Sequence, residues 1–314
     1  MLPFPLIYDE GYDLNFGAHV FPSRKYRLIR QRLLETQAAT PEDFIAPEPA
    51  SLDLLRLVHT GEWVRKLETG TLSYHDIRRL EVPYSRQMVR AFLLAAGGTL
   101  LAGRKALECG AGFNVGGGFH HAFPDHGEGF CAVHDVAVAI RALQREGAIA
   151  RALVVDADVH HGNGTAAIFA RDPAVFTLSI HQFANYPHDK PPSTLDIHLA
   201  DGTGDHEYLA KLGEACDVAT AGFRPGILFY LAGADTFYDD QLGGLALTRE
   251  GMFARDRMVF DCALRRRIPV AVTLAGGYAA TLEDTVDLHC NTALALLESF
   301  RECRSVKAGT RAGG

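Results

Sequence analysis

No run of apolar residues in this 314-residue chain approaches the roughly 20 that a membrane-spanning helix needs. The opening MLPFPLIYDEGYD has no basic stretch leading into a long apolar one, so no leader or anchor is expected and a cytoplasmic protein is the reading. Positive charge is not in excess either: 31 Lys and Arg stand against 38 Asp and Glu, a net charge of −7. That argues against a partner held by its phosphate backbone, and no direct nucleic-acid or membrane contact is expected. The six cysteines (Cys109, Cys131, Cys216, Cys262, Cys290, Cys303) include no CxxC pair. In a chain this long they read as free thiols rather than disulfide staples. There is no fixed-period repeat and no low-complexity tract, apart from a Gly/Ala/Lys/Arg tail at 307–314 that is expected to fray beyond a domain of residues 1–306. With 47% apolar and 22% charged residues, the chain is far from the composition of disordered proteins. Histidine is what it has in quantity: 14, including the adjacent pairs His120-His121 and His160-His161.

The first third carries mainly helical signals, at 24–34 and 86–107. Beyond it, short β-branched and aromatic runs at 152–155, 175–179, 227–231 and 270–274 alternate with helical patterns such as 132–144 and 252–266. That alternation predicts an α/β fold, a central parallel sheet with helices on both faces. In such sheets ligands collect beyond the carboxyl ends of the strands, and here those ends are polar. The first run leads into Asp156, Asp158, His160, His161 and Asn163, the second into Ser179 and His181, the third into Asp235, and the fourth into Gly276-Gly277-Tyr278.

Asp156, Asp158 and His160 are spaced by two, so in extended backbone all three point to one side. A carboxylate and an imidazole on such a segment make half a zinc site. Asp235 is the natural third ligand, since a catalytic zinc takes three protein donors and keeps one position open. Read singly, each aspartate could instead be a helix cap or a loop acid. His120 and His121 follow the turn Gly116-Gly117-Gly118, where glycine lets the backbone come close to a ligand. Paired imidazoles there suit acid–base work, with a further metal ligand or a core histidine as the plainer readings. Tyr278, after two glycines, can donate to an oxyanion. His126 and His134 lack such support and read as structural.

Taken in order, Gly116-Gly117-Gly118-Phe119-His120-His121-Ala122, Gly129-Phe130-Cys131, Asp135-Val136-Ala137, Asp156-x-Asp158-x-His160-His161-Gly162-Asn163-Gly164-Thr165, Gly233-Ala234-Asp235 and Gly276-Gly277-Tyr278 resemble the zinc-dependent histone deacetylase family. With Asn163 and the Tyr186-Pro187 segment, the resemblance is greatest to class IV and related bacterial deacetylases, and it runs from about Tyr8 to about Leu297. It implies a single-domain arginase/deacetylase-type fold. It further implies one zinc ion on Asp158, His160 and Asp235, with His120 paired to Asp156 and His121 to Asn163. Tyr278 would hold the oxyanion, and Gly129, Phe130 and Tyr186 would shape an acyl-lysine tunnel. Potassium, which the family also often binds, would sit at Asp156, Asp158, His160, Ser179 and Ile180. The implied activity is hydrolysis of an acetyl or other acyl amide on a lysine-like amine. Asn163 stands where many members have Asp, and His134 where Asn is usual. Three other readings remain open: a deacylase of acetylpolyamines or other small amides, a binuclear manganese ureohydrolase, and a non-catalytic scaffold. The second needs more bridging carboxylates than this set offers, and the third would not need a complete set of donors.

Overall fold

Alternation along the central strands decides which helices cover which face of the sheet. In the strand Ile227–Leu231, Ile227, Phe229 and Leu231 are buried with Leu100, Ala106, Ile140 and Leu143, side chains of the helices Arg86–Cys109 and Asp135–Arg145. Leu228 and Tyr230 point the other way, among Tyr208, Val259, Phe260 and Leu288. Those four come from the helices Asp205–Ala221, Arg249–Arg265 and Leu282–Arg311. A strand covered on both faces has no polar side to show, which is why these segments read as unbroken apolar runs.

The computed structural model describes residues 1–17 and 19–311. Its eight strands are β1 (Leu6–Ile7), β2 (Phe44–Ile45), β3 (Ala111–Asn114), β4 (Ala152–Asp156), β5 (Val175–Gln182), β6 (Leu195–Leu199), β7 (Ile227–Leu231) and β8 (Val270–Thr273). They form one sheet in the order β2-β1-β3-β8-β7-β4-β5-β6, and every pairing in it is parallel. The four apolar runs picked out in the sequence are β4, β5, β7 and β8. The other four strands escape a periodicity reading for local reasons. β1 and β2 have two residues each, β3 (AGFN) holds a glycine and an asparagine, and β6 (LDIHL) is an edge strand whose apolar residues are interrupted by an aspartate and a histidine. The last helix takes in the first part of the segment expected to fray, 307–314, of which 312–314 lie outside the described residues. Among the described residues, no helix is long and apolar enough to cross a membrane.

One buried cation ties this framework to the chemistry-bearing loops. Arg255, on the helix Arg249–Arg265, is fully buried and donates to the carbonyl oxygens of Ala157 (3.2 Å) and Gly233 (2.6 Å), and to the Asp256 carboxylate (2.8 and 2.9 Å). Ala157 precedes Asp158, and Gly233 lies two residues before Asp235. Asp256 also accepts from the Tyr230 and Thr292 hydroxyls, both at 2.6 Å. Asp256→Ala would leave the guanidinium buried without its counter-charge, and is expected to lower stability by about 3–5 kcal/mol. Urea unfolding of the variant beside the parent measures this.

Candidate active site

The carboxyl ends of β3, β8, β7, β4 and β5 are neighbours in the sheet, so loops distant in sequence meet over one edge. Asp158 and His160 come from the loop after β4, and Asp235 from the loop after β7. Their donor atoms lie within 4.8 Å of one another, and all three residues are buried. His160 Nδ1 is 3.0 Å from Asp158 Oδ1 and 3.5 Å from Asp235 Oδ2. The outer oxygens are held from behind, Asp158 Oδ2 by the Gly276 amide (2.8 Å) and Asp235 Oδ1 by the Val159 amide (2.8 Å). Asp235 Oδ2 is left buried with no hydrogen-bond partner. Burial, and then the charge of Asp158, push the Asp235 carboxyl up from its ordinary value. A divalent cation would relieve both the orphaned oxygen and the repulsion, so this donor set fits zinc, which favours N and O ligands. Gly276 is required by proximity, because a Cβ there would stand 1.9 Å from Asp235 Oδ2.

The histidine pair sits beside these donors. His120 Nδ1 is 2.7 Å from Asp156 Oδ2, His121 Nδ1 is 2.7 Å from Asn163 Oδ1, and the two Nε2 atoms are 3.1 Å apart. Burial works against the charged form of His120, but the Asp156 and Asp158 carboxylates outweigh it and lift the imidazole to about 9. His121 is driven the opposite way, well below the usual histidine range, by burial and then by the charges of His120 and His160. The same surroundings therefore drive two adjacent imidazoles in opposite directions, His120 toward the cation and His121 toward the neutral form. The turn carrying them is pinned by Asp135, which accepts from the amides of Gly118 (2.9 Å) and Phe119 (2.8 Å). His134 caps the following helix through the Ala137 amide (3.2 Å) and meets the Thr165 hydroxyl at 2.9 Å, a structural role.

A cavity of about 210 Å³ opens above this floor. Phe130, Tyr186, Gly129 and Tyr278 all line it, and Phe21, Leu242 and Glu81 join them. Phe130, Phe21 and Tyr278 form a triangle of rings, Phe130 lying 6.0 Å from Phe21 and 6.2 Å from Tyr278 between centroids, and Tyr186 leans on His121 at 4.9 Å. Phe130 has φ +69°, rare for a bulky side chain. Its amide donates to the Leu80 carbonyl (3.0 Å), which anchors this strained turn. Gly129 just before it has φ +50°, and a Cβ there would lie 3.0 Å from the Tyr186 ring. Burial, then the carboxylates of Asp158 and Asp235, push the Tyr278 phenol far up, so it stays protonated. The residues expected to hold potassium fall at the ends of β4 and β5, where Asp156 and Ser179 are direct partners in the register.

Glu128 carried no signal in the sequence, being one acid in a loop. In the fold it accepts from Asn163 Nδ2 (2.6 Å) and from Arg79 Nε (2.7 Å). Burial works against its charged form, but His126, Arg79, Asn163 and Tyr186 outweigh it and hold the carboxyl at about 2. By fixing which way the Asn163 amide points, Glu128 fixes which His121 nitrogen carries the proton. Glu128→Ala is expected to lower kcat by about 10–100-fold, the range seen when a partner that orients a site residue is lost. Steady-state kinetics would show KM changing less than kcat. Lys25 is another residue that sequence spacing does not reveal. It is fully buried beneath the site, where its ammonium donates to the Ala275 carbonyl at 2.8 Å.

The family model for the histone deacetylase domain matches residues 19–293 of this chain. An uncharacterised protein of Picosynechococcus sp. is 41% identical over 287 residues, covering 91% of this chain and 96% of the relative. Histone deacetylase 2 of Arabidopsis thaliana is 30% identical, covering 90% and 77%. The acetoin utilization protein AcuC of Bacillus subtilis is 31% identical, covering 77% and 68%. Among solved structures, that of the HDA15 HD domain superposes with a TM-score of 0.80 at 26% identity, covering 95% of this chain and 90% of the other. An HDAC homolog complexed with SAHA gives 0.79 at 22% identity, covering 94% and 84%, a likeness of fold.

Proposed function

The chain belongs to the histone deacetylase family, a family of deacetylase hydrolases, and on that premise we propose that it removes an acetyl or related acyl group from a lysine-like amine, using one zinc ion held by Asp158, His160 and Asp235. The observation that carries this reading is the convergence, on one cavity floor, of these three donors, an unequal histidine pair and a protonated phenol. A cation bound there supplies Lewis acidity and makes water easier to deprotonate. His121 directs Nδ1–H to Asn163, which leaves the Nε2 lone pair, facing His120 Nε2 at 3.1 Å, as the acceptor that would exchange that contact for the proton of the attacking water and pass the proton to the departing amine. His120, cationic against Asp156, offsets negative charge as it develops, and the Tyr278 hydroxyl donates to the carbonyl oxygen. The aromatic walls exclude water and suit a methylene chain, while Glu81 at the cavity offers a carboxylate to a substrate amide or amine. Potassium at Asp156, Asp158, His160, Ser179 and Ile180 is part of the same proposal.

The test is to profile zinc-reconstituted protein on acetyl-lysine peptides, longer acyl-lysines and acetylpolyamines, beside Tyr278→Phe. The variant is expected to lose roughly 10²–10³-fold in kcat, as when one oxyanion donor is removed. Turnover of none of these amides, or a fully active Tyr278→Phe, would overturn the reading.

A further inference from the structure

We propose that the chain holds a second divalent-metal site, built from His161, His181 and Asp196 with His198 as fourth donor, in which zinc ties β6 to β5 and to the loop after β4. The first three residues offer donor atoms that all lie within 4.8 Å of one another. His181 and His198 are direct partners in the β5–β6 register, as are Ser179 and Asp196 two residues back, so period-two alternation puts the side chains of all four on one face. His161 Nε2 is 3.2 Å from Asp196 Oδ1, and His181 Nε2 is 2.9 Å from His198 Nδ1. Ligands at the corners of a tetrahedron with bonds of about 2.0–2.1 Å stand roughly 3.3 Å apart, so little movement would admit an ion.

Ordinary hydrogen bonding leaves this group incomplete. His161 and His181 are fully buried, and Asp196 Oδ1 and His161 Nδ1 are buried without a hydrogen-bond partner. An unsatisfied buried carboxylate oxygen is costly, and a cation satisfies it. The donors are also oriented from outside. The Ser193 amide holds Asp196 Oδ2 at 2.8 Å. Ser179 Oγ lies 2.9 Å from His181 Nδ1, and an Nδ1–H donated to it leaves the lone pair on Nε2. This is the tautomer-fixing partner that metal-binding imidazoles have. Asp196 and His198 line a surface cavity that gives an ion access, and Lys190 on the same cavity is engaged by the carbonyls of Asn185 and Pro187. Imidazoles with one carboxylate suit zinc, cobalt or nickel rather than magnesium or calcium. None of the four donors belongs to the Asp158, His160, Asp235 set, so the inference stands apart from the proposed reaction.

The test begins from His160→Ala, which cripples the catalytic donor set, loaded with zinc, dialysed and assayed for bound metal. About one equivalent per chain is expected, and cobalt in its place should give the visible absorption of a tetrahedral ion. Adding Asp196→Asn or His181→Gln should remove that equivalent, and His198→Gln, on the exposed side of the edge strand, should weaken it by about tenfold or more. A His160→Ala protein that keeps no zinc overturns the proposal, as does a metal content that Asp196→Asn and His198→Gln both leave unchanged. Loss of the equivalent in these variants also separates this site from two ions sharing the catalytic floor.

Discussion

Replacing His121 by alanine is expected to lower kcat by roughly 10²–10⁴-fold, the usual worth of a positioned general base, while the zinc ion proposed for Asp158, His160 and Asp235 stays bound. The reason lies in the division of labour within the histidine pair. His121 is the neutral member, with Nδ1 committed to Asn163 and Nε2 turned toward His120. His120 is charged, close to Asp156 and unable to accept a proton. The alanine variant therefore has no base in reach, and its neighbour does not substitute. No metal donor is touched, so zinc content by mass spectrometry should match the parent. KM should rise modestly, because Tyr186 loses the ring it leans on. A variant with parental turnover would move the base elsewhere.

A second large effect is expected from Asp235→Asn. The amide keeps the shape of the side chain but loses the negative charge that balances a dication, so zinc should be lost and kcat/KM should fall by well over about 100-fold, beyond the loss of an orienting partner. Stability should move the other way. Burial and Asp158 raise the Asp235 carboxyl in the fold, so its ionised form at neutral pH opposes folding, and the amide removes that penalty. Metal-stripped Asp235→Asn should thus melt no lower than metal-stripped parent, while zinc raises the melting temperature of the parent alone. A variant that melts lower and still binds zinc would show that Asp235 is a structural residue. This is a site held at some expense to the fold, as functional sites often are.

The residues that carry the two predictions were not equally legible. His121 follows a triple-glycine turn and stands in an adjacent histidine pair, a local pattern that composition makes conspicuous. Asp235 was suggested by its place after an apolar run, and only the adjacency of β7 and β4 brings it to Asp158 and His160. Asn163 was visible as a motif residue. The carboxylate behind it, Glu128, was not, because nothing about an acid in a loop says that it will meet an amide, a guanidinium and a phenol. Phe21 and Leu242 were missed for the same reason, since apolar residues in irregular segments carry no period.

The sequence by itself determined the sheet class, the four central strands and the donors clustered within single segments, because alternation and short spacings are properties of neighbouring residues. Strand order, the two-residue strands, the walls of the cavity and the His161, His181, Asp196 group were decided only when the chain folded. Each depends on which distant segments share a face and on which polar atoms lose their water, and burial is set by the whole packing.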